Sequence, residues 1–310
     1  MARETPPRRP APDVIAIFGP TGVGKTAVAI ALADQLRAGG EDPIAISADA
    51  LQVYAGLEAL TGAPTEPERR LLEHELVGVV PVTEPFSVGE YAPRAHAAID
   101  AAIASGRRPL VVGGTGLYLR AALADLELSP APGPGVRERL EERLRTEGLG
   151  ALHAELARRS PRRGRAIAPT DRTRVIRALE ALEAGEEDVE PAERDELWSG
   201  RTRHPTALAG LVMDRARLYE RIDARVDAIV AAGAIEEVRC AERAGASHTA
   251  RTALGYAELL EGDVEGMKRR TRNFAKRQLT WMRKLPDVEV IDVTDREPGD
   301  VAREVARRAA

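Results

Sequence analysis

Gly19-Pro20-Thr21-Gly22-Val23-Gly24-Lys25-Thr26 has the residue types and spacing of a phosphate-binding loop. Glycines let consecutive backbone N–H groups curl around an anion, and the helix that follows adds its partial positive charge. Lys25 reaches the outer phosphate and Thr26 offers a hydroxyl to Mg2+. Such a loop reads phosphate oxygens only, so the group attached to them stays open. A second candidate is Asp49 in Ala48-Asp49-Ala50-Leu51-Gln52-Val53-Tyr54, just past the apolar run Ile44 to Ser47. A carboxylate at a strand end can ligate Mg2+ through water or take a proton from a nucleophile; it can also cap a short helix. A third is Val111-Val112-Gly113-Gly114-Thr115-Gly116-Leu117-Tyr118, where glycines admit a ligand close to the backbone and Thr115 can hydrogen-bond it or cap a helix. This strand does not end in the acid that nucleotide hydrolases use for magnesium. Asp214 could supply one, although at the head of a helix from Arg215 it reads as an N-cap. The histidines at 74, 96, 153, 204 and 248 are spaced unlike a metal site.

These residues need a scaffold. Apolar runs at Val14 to Phe18, Pro43 to Ser47, Leu76 to Val80, Pro109 to Val112, Ala207 to Met213 and Val288 to Val293 predict strands. Helical periodicity covers Thr26 to Arg37, Val88 to Ala104 and Thr115 to Ala124. The alternation predicts an α/β fold: a P-loop core with a mostly parallel sheet flanked by helices, its ligand at the carboxyl ends of the strands. A Pro/Gly-rich break at Ser129 to Gly135 interrupts the rhythm. Helical segments follow at Val136 to Glu147, Leu149 to Arg159 and Asp171 to Ala184, without a strand up to about Arg203. The expected organisation is a core of 13–128 and 204–310, an all-helical insertion at 129–203, and a disordered lead-in at 1–12. Later helices are expected at Leu218 to Ala232, Ile235 to Ala244, Tyr256 to Leu260 and Val264 to Leu285.

Composition narrows the classes. At 310 residues, 44% hydrophobic and 30% charged, the chain can bury one large core or two smaller ones. Cys240 is the only cysteine, which excludes an internal disulfide or a Cys-based zinc site and fits a cytoplasmic location. No run reaches the roughly 18 apolar residues of a membrane span, so no membrane role is expected. The net charge of -4 hides a basic segment: Gly266 to Pro286 holds Lys268, Arg269, Arg270, Arg272, Lys276, Arg277, Arg283 and Lys284 and no acid. Within it Phe274, Gln278, Trp281 and Leu285 form an inward stripe at helical spacing, leaving Lys268, Arg272, Lys276 and Lys284 to face anions.

Taken in order, several segments resemble the tRNA dimethylallyltransferases, also called isopentenyltransferases. They are Gly19 to Thr26, Asp49 to Tyr54, Phe86-Ser87-Val88, Val112 to Tyr118, Asp171 with Arg174 and Arg177-Ala178-Leu179-Glu180, Arg215 with Leu218 and Arg221-Ile222, Leu254-Gly255-Tyr256, and Ala275 to Trp281. The resemblance implies transfer of a dimethylallyl group from dimethylallyl diphosphate to N6 of the adenosine immediately 3′ of a tRNA anticodon, with Mg2+ as cofactor. It implies that Gly19, Pro20, Thr21, Gly22, Val23, Gly24, Lys25 and Thr26 hold the diphosphate, that Thr26 meets the metal, and that Asp49, Thr115 and Arg215 join Lys25 and Thr26 in catalysis. Asp49, Ala50, Leu51, Gln52, Thr115, Arg174, Arg177, Lys276, Arg277, Gln278, Trp281 and Arg283 are the implied tRNA contacts. The partners so implied are the anticodon stem-loop and the allyl donor, with no obligate protein partner.

The chain departs from the family in two places. After Tyr54 the family usually carries Gly-Met-Asp-Ile-Gly-Thr-Ala-Lys-Pro, whereas here Gly56 to Pro64 lacks the lysine; Ala257 stands where a lysine commonly follows the Gly-Tyr pair. The alternative reading from the phosphate loop alone is an ATP-dependent small-molecule kinase, which has no use for Arg174, Arg177 or the basic segment.

Overall fold

The computed structural model describes residues 12–128, 133, 135–185 and 197–309. Most of the expected lead-in at 1–12 therefore lies outside the described residues. Val14–Phe18 is buried at every position, as a strand covered on both faces requires. It forms β1, and the chain continues through α1 (Lys25–Ala38), β2 (Pro43–Ala48), β3 (Tyr54–Ala55), α2 (Glu58–Thr61), α3 (Glu66–Leu71), β4 (His74–Glu75), β5 (Val80–Pro81), α4 (Val88–Ala104), β6 (Arg108–Gly113) and α5 (Gly116–Leu123). The helices α6 (Val136–Glu147), α7 (Leu149–Arg159), α8 (Pro161–Ala166) and α9 (Arg172–Glu183) follow. Then come β7 (Thr206–Val212), α10 (Arg215–Ala231), α11 (Ala234–Arg243), α12 (Tyr256–Glu261), α13 (Val264–Met282), β8 (Val288–Asp292) and α14 (Pro298–Arg308).

Six strands form one sheet in the order β4-β2-β6-β1-β7-β8, with every pairing parallel. This is the expected doubly covered α/β architecture. Its register positions the chemistry: Gly113 at the end of β6 pairs with both Phe18 of β1 and Ala48 of β2. The phosphate loop, the Asp49 turn and the Gly113-Gly114-Thr115 turn therefore leave three adjacent strands at one level. A core cluster including Ile15, Ile17, Leu32, Leu211, Leu218, Ile222, Ala275 and Val301 joins α1, α10, α13 and α14 to the sheet. From β2 and β6, α4 and α5 extend the cover, with the Tyr91 and Tyr118 rings 4.6 Å apart between them.

Two local expectations fail. The strand expected at Leu76 to Val80 is replaced by the two-residue β4 and β5. Leu76 sits at φ 60 and Gly78 at φ 65, left-handed conformations that end an extended run. Asp49 also precedes no helix, because residues 50–53 form a turn.

Two compact units are present. One runs to Leu126 and resumes at Asp195; the other is Glu127–Arg194. The smaller is a helical unit around Leu140, Leu152, Leu156, Val175, Ile176 and Leu179. Inside it the buried Glu180 accepts from Arg137 (2.9 Å) and Arg177 (3.4 Å). In the larger unit Arg203 N donates to Leu123 O (2.8 Å) and Arg120 Nε to Leu197 O (3.0 Å). The described residues 197–203 thus belong with α5, and the insertion boundary expected at 203 moves back. These bonds were invisible in sequence because their acceptors are carbonyl groups, common to every residue type.

Candidate active site

The phosphate loop is anchored by apolar contacts at its base. Val23 is buried, and Ile222 of α10 packs beneath Gly22. Gly24 caps α1 at φ 103, a conformation that glycine adopts without a Cβ penalty. Lys25 Nζ folds back to donate to the carbonyls of Gly19 (2.9 Å) and Pro20 (3.0 Å). Burial pulls its pKa down to about 8; the Asp49 charge opposes this and Arg225 reinforces it. The Thr26 hydroxyl, at the first turn of α1, makes no hydrogen bond among the described residues.

Gln278 of α13 ties this loop to the next strand's. Its Oε1 accepts from Thr21 N (2.8 Å) and its Nε2 donates to Gly114 O (2.8 Å). The side chain is buried, with both ends of the amide spent on backbone. Gln278, expected to contact RNA, is here an internal brace of the site.

Asp49 sits across from the lysine. Its Oδ1 accepts from the N–H groups of Leu51 (3.0 Å) and Gln52 (3.4 Å), while no other hydrogen bond to the carboxylate exists among the described residues. Thr115 forms no side-chain cap on α5; its Oγ1 instead accepts from Ala50 N at 3.5 Å. Behind the turn, Tyr91 donates its hydroxyl to Ser47 O (2.9 Å). The structure therefore brings Lys25, Asp49 and Thr115 into one site. Gln52, expected to contact tRNA, is engaged internally: Ser47 Oγ donates to its Oε1 (3.1 Å) and its Nε2 donates to Gly62 O (3.3 Å).

The helix α10 adds cations. Arg215 is exposed at its first position, 5.4 Å from the centroid of Tyr219, whose ring also faces Arg272 (5.9 Å) and Lys276 (6.0 Å). Asp214 caps this helix through Ala216 N and Arg217 N, which uses its Oδ1 as an N-cap. Two arginines without an assigned role also reach the site. Arg221 Nε donates to Gly22 O (3.0 Å), and Arg225 Nη2 to Gly62 O (3.0 Å). Their four-residue spacing was the available signal, since it puts both on one helix face beside the buried Ile222.

The basic segment divides into halves. Lys268 pairs with Asp227 and Glu265, Arg269 with Asp263, Arg270 with Glu258 and Arg272 with Asp223. Lys268 and Arg272, expected to face anions, are thus neutralised by acids from other segments. Lys276, Arg277, Arg283 and Lys284 are exposed and form no ion pair among the described residues. Trp281 packs on Gly116 and lies 4.7 Å from the Trp198 ring, over which Lys284 sits at 5.4 Å. In the helical unit, Arg174 is exposed beside its helix cap Asp171 (3.5 Å), and Arg177 meets Glu180.

No cluster of three or more His, Cys, Asp or Glu side chains suited to a metal exists among the described residues. The Thr26 hydroxyl and the Asp49 carboxylate have the hard oxygen donors that suit a hard cation.

Comparison with known proteins is consistent along the chain. The family profile described as IPP transferase matches residues 52–285, and that described as Isopentenyl transferase matches residues 12–78. A tRNA dimethylallyltransferase of Thermobifida fusca is 42% identical over 286 residues, 89% of this chain and 88% of the relative. One from Streptomyces coelicolor is 40% identical over 90% of both chains. The crystal structure of the full-length tRNA isopentenylpyrophosphate transferase of Bacillus halodurans superposes with a TM-score of 0.67 at 32% identity, covering 96% of each chain. A eukaryotic dimethylallyltransferase captured acting on tRNA gives 0.70 at 25% identity, over 91% of this chain and 74% of that one.

Proposed function

The chain belongs to the tRNA dimethylallyltransferase family, and on that premise we propose that it transfers a dimethylallyl group from dimethylallyl diphosphate to N6 of the adenosine immediately 3′ of the anticodon in tRNA, releasing diphosphate. The observation that carries this reading is the Gln278 brace. It holds an anion-binding loop and a second glycine turn together beside a carboxylate.

The roles follow from chemistry. The adenine N6 lone pair is delocalised into the ring, so the amine must lose a proton as its bond to the allyl C1 forms and the C1–O bond to diphosphate breaks. Asp49 is the general base: two peptide N–H groups orient its Oδ1, and its other oxygen is available to receive the proton. Charge builds on the departing diphosphate, and the loop amides, Lys25, Arg215 and the Thr26 hydroxyl stabilise it. Thr26 and Asp49 are the residues that would hold Mg2+, which when bound would supply further neutralisation of that leaving group. Thr115 holds the Asp49 turn through Ala50 N and so orients the base.

For tRNA, the exposed cations Lys276, Arg277 and Arg283 serve phosphate contacts, and Arg174 extends that role to the helical unit. Extrusion of the target adenine from the stack is what chemistry on N6 requires. The work belongs in the cytoplasm, where tRNA is matured; no helix among the described residues is long and apolar enough to cross a membrane. A kinase reading leaves the exposed Lys276 and Arg277 of α13 without a task. The test is incubation with labelled dimethylallyl diphosphate, Mg2+ and unmodified tRNA, followed by digestion. Label must appear in N6-dimethylallyladenosine 3′ of the anticodon, and an unlabelled RNA overturns the proposal.

A further inference from the structure

The Asp49 turn is held by a chain of hydrogen bonds that ends on α10. Gln52 closes the turn with its peptide N–H, and its side-chain amide donates to Gly62 O. Arg225 Nη2 donates to the same carbonyl at 3.0 Å. Gly62 adopts φ 56, and a Cβ there would overlap the Arg225 guanidinium, so this approach requires glycine. From α11, Glu237 accepts from Ala59 N and Leu60 N (both 2.9 Å), so the short α2 is gripped at both ends by the helices α10 and α11.

Arg225 is costly where it stands. It is half-buried, and burial draws its pKa below the ordinary arginine value while Asp49 and Glu68 oppose that shift. Among the described residues it forms no ion pair and one hydrogen bond, although a guanidinium has five N–H donors. A neutral amide would satisfy one carbonyl without the desolvation of a charge. What the guanidinium does there by geometry is hold the Gly62 carbonyl that Gln52 also holds.

We infer that Arg225 is a positioning residue for the transfer reaction. By holding the Gly62 carbonyl it fixes Gln52, and through Gln52 the Asp49 turn. Its effect is exerted on Asp49.

This inference rests on the proposed transfer reaction, so the experiment compares variants only after the wild-type protein has transferred the allyl group; a wild type without transfer overturns the parent reading instead. Single-turnover rates at saturating donor and tRNA, tRNA affinity and melting curves are measured for R225M, R225K, D49A and D49A/R225M. R225M lowers the transfer rate about 10- to 100-fold, the scale of a misplaced catalytic group, with tRNA affinity changed less than about threefold. R225K, which keeps a charge and a donor, returns to within about tenfold of wild type. In the D49A background R225M lowers the residual rate no more than about twofold, because the group it positions is gone. A wild-type rate in folded R225M, or a full-sized further loss in D49A/R225M, overturns the inference. Should R225M not fold, R225A makes the same comparison, since it likewise removes the donor to Gly62.

Discussion

Two side chains, Lys25 and Asp49, carry opposite charges across the site, and each can be tested by itself. With Asp49 as the proposed general base, Asp49→Ala lowers turnover about 100-fold, and filter binding shows that tRNA binding persists; near-normal turnover removes Asp49 from the mechanism. Lys25 makes a pH prediction. Its folded pKa of about 8 lies below the ordinary lysine value of 10.5, so its ammonium is lost as pH rises through about 8. Titration calorimetry with inorganic diphosphate accordingly shows affinity falling above that pH. In Asp49→Asn the midpoint moves lower, because the carboxylate is what raises it. For stability the sign is the reverse: between about 8 and 10.5 the unfolded chain holds the extra proton, so this residue's contribution improves as pH increases. Lys25 was legible from its place in the phosphate loop. Its depressed pKa was not, because desolvation depends on what packs around the ammonium.

The helix α13 shows how an element divides its labour. Gln278, and Leu285 just past its end, face inward, as helical spacing predicted, but spacing says nothing of acids on other segments. Asp223 and Asp227 on α10 neutralise Arg272 and Lys268, whereas the later cations meet no acid partner among the described residues. The triple variant K276A/R277A/R283A therefore flattens the dependence of log tRNA affinity on log salt by about 2 to 3, at roughly 0.7–0.9 for each phosphate no longer neutralised. Lys268→Ala and Arg272→Ala leave that slope in place and lower the melting temperature. An unchanged slope in the triple variant relocates the RNA surface. Gln278 teaches the same lesson: its polar ends bond to Thr21 N and Gly114 O, whose proximity the strand order creates.

At the scale of the whole molecule, two units with separate cores divide the chain. The outgoing and returning segments of the larger unit are bonded to each other through Arg203 N and Leu123 O, and through Arg120 and Leu197 O. Replacing 127–194 by a short Gly/Ser linker therefore leaves a cooperatively melting protein that binds inorganic diphosphate with wild-type affinity, while transfer to tRNA is lost. Calorimetry and the transfer assay check the two halves; loss of diphosphate binding in a folded deletion variant contradicts it. By itself the sequence determined the alternating strands and helices, the phosphate loop, the carboxylate beyond the second strand and the helical run after Gly135, because all of these are written in local spacing and side-chain type. Tertiary structure alone decided which cations remain unpaired among the described residues, that Gln52 is engaged internally, which backbone groups Gln278 holds, and that Arg221 and Arg225 reach the site. Those outcomes depend on backbone groups and charges far apart in the chain, which folding around a parallel sheet of order β4-β2-β6-β1-β7-β8 brings together.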